Sequence, residues 1–298
     1  MKSISKAKIE LASAFLIWGT VGIFVKFIPL NSGIVAFDRS IVGMLFLLLV
    51  KLCMKSKIDF KNLKGSLLLL CVNGALLGLN WILLFESYNY TTVAISTICY
   101  NLGPMVVVLV SPLVFRERLT FVKIVCVLFA LFGVVCVSGI FDSATMGKNS
   151  IFGVLLGVSA AVVYAITVII NKRVDKVDPM DKAITQFASS TVVMFVYCLF
   201  TTKADELKFD LTTVILLLVV GVLHTGVAYT VYFKSLPHVT SQNVAIFAYI
   251  DPVVAVVLSA VLLHEQLTVF TVVGAVLVIF SALFSELYDN RKKNRIKA

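Results

Sequence analysis

The chain has 298 residues, 60% of them apolar and only 14% charged, against roughly 25% charged in soluble domains. Lys and Arg outnumber Asp and Glu by 26 to 16, a net charge of +10. Apolar runs of the ~20 residues needed to cross a bilayer recur from end to end, which excludes a soluble enzyme or a nucleic-acid binder and leaves a multi-spanning protein embedded in lipid. The pattern predicts an all-α membrane protein of ten transmembrane helices, over 9–28, 33–53, 65–86, 92–115, 121–141, 151–171, 183–201, 212–233, 240–263 and 268–288, with a basic tail at 289–298. Turn and charge signals separate them: Pro29 to Gly33, Lys55 to Asp59, Asp142-Ser143, Asp175 to Asp181, Lys203 to Asp210. The first helix follows Lys2, Lys6 and Lys8 as a signal peptide would, but its apolar run is too long and no small-residue cleavage site follows, so it is expected to stay.

Orientation follows the Lys/Arg bias of the loops. With the amino terminus inside, 21 of the 26 basic residues fall inside, and the outside set is Lys26, Arg39, Lys148, Lys203 and Lys208. Both termini are therefore expected in the cytoplasm. The six cysteines lie in or beside apolar stretches, without a Cys-x-x-Cys pair or a Cys/His cluster, so they read as packing residues and no metal or other cofactor is expected.

The two parts of the chain repeat. A shift of 148 pairs Gly78 with Gly226, Phe85 with Phe233, Ser87 with Ser235 and Thr92 with Thr240. It also pairs Pro104 with Pro252, Ser111 with Ser259, Glu117 with Glu265 and Thr120 with Thr268. Near the start of each half a shift of 146 pairs Lys26 with Lys172 and sets Trp18 opposite Tyr164. Halves 1–141 and 151–288 would each hold five helices, an odd number, so they must insert with opposite orientation. Inverted repeats with a midplane site between them are a hallmark of secondary transporters.

The segment Pro104 to Thr120 (PMVVVLVSPLVFRERLT) and its counterpart Asp251 to Thr268 (DPVVAVVLSAVLLHEQLT) resemble the proline-and-glutamate signature of the EamA domain, of the drug/metabolite transporter superfamily. Tyr229 to Leu236 (YTVYFKSL) resembles the aromatic end of that family's eighth helix, and Arg39 the arginine of its second. The resemblance spans nearly the whole chain and implies ten helices in two copies of five, and export of amino acids or other small metabolites. Two departures stand out: Gly103 occupies the place of Asp251, and Gln186 lies near where the arginine of the second helix would recur.

Ionisable groups inside a bilayer cost about 2.5–3.5 kcal/mol and usually face a cavity. Asp251 is expected mid-way along the ninth helix, where Pro252 would kink the chain and free a carbonyl near Ala248; a carboxylate there suits a substrate ammonium or a proton. His224, the one histidine expected at midplane depth, suits proton relay, and coupling to protons is open. Trp18, Asn80, Trp81, Tyr100, Asn101, Tyr164, Tyr229 and Tyr249 lie several residues inside the expected interfaces, Trp18 matching Tyr164 and Trp81 matching Tyr229 across the repeat. Such rings and amides would line a cavity with apolar faces and hydrogen-bonding edges, suited to small amphiphilic molecules such as amino acids; helix packing is the plain alternative. Arg39 and Asp38 are read at the outer end of the second helix, Arg39 snorkelling and Asp38 paired with Lys26 in a structural or gating contact. Glu117 and Glu265 each precede a threonine that can cap the next helix and read as architectural. Glu86 and Lys234 read as interfacial charges, Gly74 and Gly78 as close-packing positions, and Lys55 to Lys64 with the tail as basic surface against anionic lipid.

These features point to a secondary transporter, with export of amino acids or similar metabolites the leading case and import of a vitamin, nucleotide or cofactor the rival. No Gly-x-x-x-x-Gly-Lys-Ser/Thr loop appears, so ATP is not expected to drive it directly. A membrane enzyme would need clustered nucleophile, base or metal ligands, and none is evident. A non-transporting assembly or receptor protein would have a packed centre.

Overall fold

The computed structural model describes residues 2–115, 120–138, 150–174, 176–203, 207 and 209–297. Among these the chain is helical with no strand. The first part contains α1 (Lys2–Lys26), α2 (Ser32–Cys53), a short α3 (Phe60–Lys64), α4 (Leu67–Tyr90), α5 (Val93–Tyr100), α6 (Gly103–Phe115) and α7 (Phe121–Val137). The second contains α8 (Ser150–Arg173), α9 (Pro179–Thr201), α10 (Leu211–Leu218), a π-helical stretch Val219–Val227, α11 (Ala228–Ser235), α12 (Ser241–Ala248), α13 (Ile250–Leu262) and α14 (Val269–Lys297). Seven helical stretches are long and apolar enough to cross a bilayer, and Phe121–Val137, Ile246–Leu262 and Val269–Ser285 are shorter apolar ones. Large apolar side chains such as Leu68, Leu113, Phe121, Phe200 and Leu211 face outward, as hydrocarbon rather than water around the helices allows.

Side-chain caps explain where the helices start. Thr92 accepts a hydrogen bond from the Ile95 N–H at 3.1 Å and Thr240 from the Asn243 N–H at 3.3 Å; Thr120 and Thr268 cap α7 and α14 the same way, from Lys123 N–H at 3.4 Å and Thr271 N–H at 3.2 Å. These are the threonines that the 148-residue shift superposes. Asp210 caps α10 through the Thr213 N–H at 2.8 Å, and hydrogen bonding to Thr213 holds its carboxyl below the ordinary range.

Two of the expected long helices are broken in their middles. The chain turns at Asn101-Leu102 between α5 and α6, and at Tyr249 between α12 and α13, positions 148 apart. Both breaks tighten to i→i−3 bonds, Leu102 N–H to Cys99 O at 3.1 Å and Tyr249 N–H to Ile246 O at 3.3 Å. The expected kink near Ala248 is thus a full break: Pro252, like Pro104, stands in the first turn of the next helix, where its missing N–H sacrifices no intrahelical bond. Two further differences concern ends: α3 fills part of the loop after α2, and α14 runs as one helix through the basic tail.

Packing is two-fold in pattern. α1 lies on α13 and on the π stretch with α11, and its counterpart α8 lies on α5, α6 and α4. α2 packs on the π stretch as α9 packs on α4, while α2 with α9, α5 with α13, and α7 with α14 pair across the middle. Gly133 and Gly274 meet in the last pair: a Cβ on Gly133 would come 2.8 Å from the Gly274 carbonyl, and one on Gly274 would strike the Gly133 carbonyl. The α2–α9 seam is antiparallel and carries polar contacts at both ends and the middle, from Asn31 Nδ2 to Thr202 Oγ1 (2.8 Å) through Ser40 and Ser190 (2.7 Å) to Lys51 and Asp181, with apolar pairs such as Phe37 and Phe195 between them. Lys51 and Asp181 are both buried, and Asp181 also accepts the Asp59 N–H at 3.1 Å. Gly74 and Gly78 do pack closely as expected: a Cβ on Gly74 would strike the Gln186 carbonyl, and one on Gly78 would come 2.7 Å from Ser190 Oγ.

Candidate functional site

The two halves enclose a cavity of about 740 Å³. Trp18, Trp81, Tyr100, Asn101, Tyr164, Tyr229, Tyr249 and Asp251 line it, with Arg39, Tyr88, Tyr232, Asn73 and Gln186. Asn101 and Tyr249 belong to the breaks themselves, so interrupted helices deliver side chains and turn backbone to the cavity at matching depths. The aromatic residues form two edge-to-face groups: Trp18 against Tyr229 at 5.1 Å with Phe15 at 5.3 Å, and Tyr100 against Tyr164 at 5.5 Å. Phe187 links Tyr229, at 5.2 Å, to Trp81, at 5.7 Å.

Two residues expected at the cavity are elsewhere. Asn80 is buried between α4 and α8, its Nδ2 donating to the Ala160 carbonyl at 2.6 Å, because a carbonyl on a close-packed neighbour satisfies an amide as well as water would. His224 is fully buried behind the cavity wall in the π stretch. Its Nδ1 lies 3.2 Å from the Val219 carbonyl and its Nε2 2.8 Å from Thr20 Oγ1, which itself bonds the Ile17 carbonyl at 2.7 Å. Thr225 Oγ1 likewise lies 3.2 Å from the Val220 carbonyl five residues back, so both side chains fold back on carbonyls of the same π turn. His224 and Asp251 do not meet: α1 lies between, with Thr20 on His224 and Gly19 packed against the Asp251 carbonyl.

Arg39 is the main residue that sequence reasoning misplaced. It does not snorkel outward: it is 5% exposed and lines the cavity, its guanidinium 4.5 Å over Trp81 and 5.7 Å from Phe85. Its Nε donates to Thr225 Oγ1 at 2.9 Å. The expected Lys26–Asp38 pair is absent; Lys26 donates to the Tyr88 carbonyl, and Asp38 Oδ2 is buried with no hydrogen-bond partner among the described residues. Glu265 is architectural, but not at its own helix: it accepts the Val93 and Ala94 N–H groups, at 2.9 and 3.2 Å, capping α5 in the other half. Glu117, Arg116, Arg118 and Lys148 lie outside the described residues. Glu86 accepts from Ser32 Oγ at 2.7 Å, and Lys234 is exposed. The six cysteines are free thiols.

One family model, the EamA-like transporter family, matches twice, over residues 8–139 and 151–287. The chain belongs to the EamA-like transporter family. It is 27% identical to an uncharacterized transporter, YxxF, of Bacillus subtilis over 100% of this chain and 94% of that one. An uncharacterized transporter of Archaeoglobus fulgidus is 27% identical over 92% and 95% of the two chains. A solved structure described only as a crystal structure of a protein superposes with a TM-score of 0.66 over 96% of this chain and 98% of its own, at 16% identity, which shows the same fold. Membership makes this a multi-pass membrane transporter and not an enzyme.

Proposed function

We propose that this EamA-like protein is a secondary transporter that exports amino acids or similar small amphiphilic metabolites across the cell membrane, rocking two inverted five-helix halves around the central cavity. The cavity carries this reading: it lies between the halves, holds a small metabolite by volume, and mixes aromatic faces with a buried cation and a carboxylate. The ten spans would be α1, α2, α4, α5 with α6, α7, α8, α9, α10 through α11, α12 with α13, and α14. With both termini cytoplasmic, as the basic residues argue, the cavity reaches the inner side, because Asn171, Pro179, Lys182 and Leu236 line that end. Lys26 on the Tyr88 carbonyl and Glu265 on α5 then close the outer side. Proton coupling is part of the proposal, supported by Asp251 at the cavity, whose carboxylate has no hydrogen bond among the described residues.

The test is counterflow of labelled amino acids into liposomes holding only the purified protein, with and without an imposed pH gradient. Accumulation of an amino-acid class, altered by the gradient, is the expected result. Asp251→Asn lowers that flux at least tenfold with the protein still folded. Near-normal flux in the variant would remove Asp251 from the mechanism.

A further inference from the structure

Two opposite charges face the cavity, near enough to attract each other but not in contact. Arg39 has five N–H donors, and among the described residues only its Nε is hydrogen-bonded, to Thr225. Its guanidinium carbon stands 4.5 Å from the centre of the Trp81 ring and 5.7 Å from that of Phe85, and the residue lines the cavity. Asp251, in the first turn of α13, also lines the cavity, and among the described residues its carboxylate has neither a hydrogen bond nor an ion pair. No nitrogen of Arg39 comes within 4.0 Å of a carboxylate oxygen of Asp251. A structural ion pair would close that gap, because a buried charge without a partner is costly. Here both groups point into one shared space.

The matching positions of the two halves supply no second pair. Gln186 donates to Asn171 Oδ1 at 2.7 Å, and Gly103 has no side chain. A Cβ at Gly103 would come 2.5 Å from the Tyr164 ring, so a carboxylate has no room there. Other charged or titratable groups near the pair do not reproduce it: Lys182 lies at the far end of the cavity, beside Pro179, and has partners of its own. His224 is behind the wall, and Tyr88, Tyr100, Tyr164 and Tyr229 are phenols.

We propose that Arg39 and Asp251 are the two poles of a single zwitterion site, Arg39 taking the substrate carboxylate through its free edge and Asp251 taking the ammonium, with the aromatic groups around the side chain. This rests on the transport reading above and narrows it to molecules carrying both charges. A guanidinium edge suits a carboxylate by two parallel N–H···O bonds. A substrate bridging the poles neutralises both, so the loaded cavity carries no net uncompensated charge through the rocking step.

Trp18 and Trp81 are the protein's two tryptophans and both line the cavity, so intrinsic fluorescence of the full chain reports occupancy. The probes are three mixtures: the aliphatic amino acids, which carry no side-chain charge and no fluorophore, their α-amides, which keep only the positive charge, and their N-acetyl derivatives, which keep only the negative one. In the wild type the amino acids are expected to half-saturate at least tenfold below either of the others. Arg39→Gln should abolish the penalty on the amides and keep that on the N-acetyl derivatives, and Asp251→Asn should do the reverse. Equal binding of the three mixtures by the wild type overturns the proposal, as does a folded variant that loses both discriminations together. Should neither variant fold, the wild-type comparison decides alone. If liposomes carry another metabolite class and ignore amino acids, the zwitterion site falls and the transporter stands; if no class moves, the transport reading falls and takes the site with it.

Discussion

Gly103 and Asp251 stand at the same register, 148 residues apart, each just past the break in its helix, and yet one is bare and the other carries a charge. The same holds for Gln186 and Arg39 near matching places in α9 and α2. The backbone of the two halves has kept its breaks, its threonine caps and its mirrored contacts, while the polar groups facing the cavity have diverged. Repetition thus shapes the frame, and asymmetry the lining of the cavity. A cavity with two equal faces would repeat its charges; this one takes a cation from one half and a carboxylate from the other.

The comparison can be broken first at the seam the halves share. Lys51→Ala leaves Asp181 buried without its cation, and is expected to cost about 3–5 kcal/mol, measured as unfolding in detergent; a loss under about 1 kcal/mol would mean that water replaces the lysine. Next, Gly103→Ala forces the Tyr164 ring aside and is expected to cost about 1–3 kcal/mol, with reduced flux. An unchanged melting temperature there would show that the bare position is not imposed by packing. Third, Glu265→Gln removes the charge that caps α5 from the opposite half. The expected loss is about 1 kcal/mol, readable as faster amide exchange at Val93 and Ala94. The smallest change concerns His264, which holds φ 53° where α13 ends, its successor Glu265 donating to the Ser259 carbonyl at 3.2 Å. His264→Gly relieves the left-handed strain and is expected to add roughly 0.5 kcal/mol after glycine's own entropy, without altering flux.

Much of this was legible in sequence because repeats leave marks at residues with one geometric use. Threonine caps and prolines fix register, so Thr92 with Thr240 and Pro104 with Pro252 mark the repeat, but the breaks beside them are not legible there, and Pro252 alone suggests a kink rather than an interruption. Aromatic residues several positions inside the spans were correctly expected at the cavity, since neither lipid headgroups nor water would place them there. Arg39 was misread because depth was judged from distance to the helix end. Seven residues past Ser32 the helix has advanced roughly 10 Å, and Trp81, on another helix, decides which way the side chain turns. Asn80 and His224 were misread for the converse reason: a polar side chain at midplane can be satisfied by a neighbour's carbonyl, and no spacing rule shows which neighbour. The Glu265 contact with α5 and the Lys51–Asp181 pair join residues more than a hundred positions apart, beyond any local pattern.

The π stretch at Val219–Val227 sets an arithmetic of its own. One residue more than an α-helix would use turns everything after it by about 100°; His224 meets Thr20 of α1 from within the stretch, and Tyr229 and Tyr232 after it meet Trp18 of the same helix at the cavity. Deleting one residue there would leave every side chain of the lining in the protein and carry two of them round to the wrong face. In this segment the length of the chain, more than any single residue in it, sets which side chains the cavity receives.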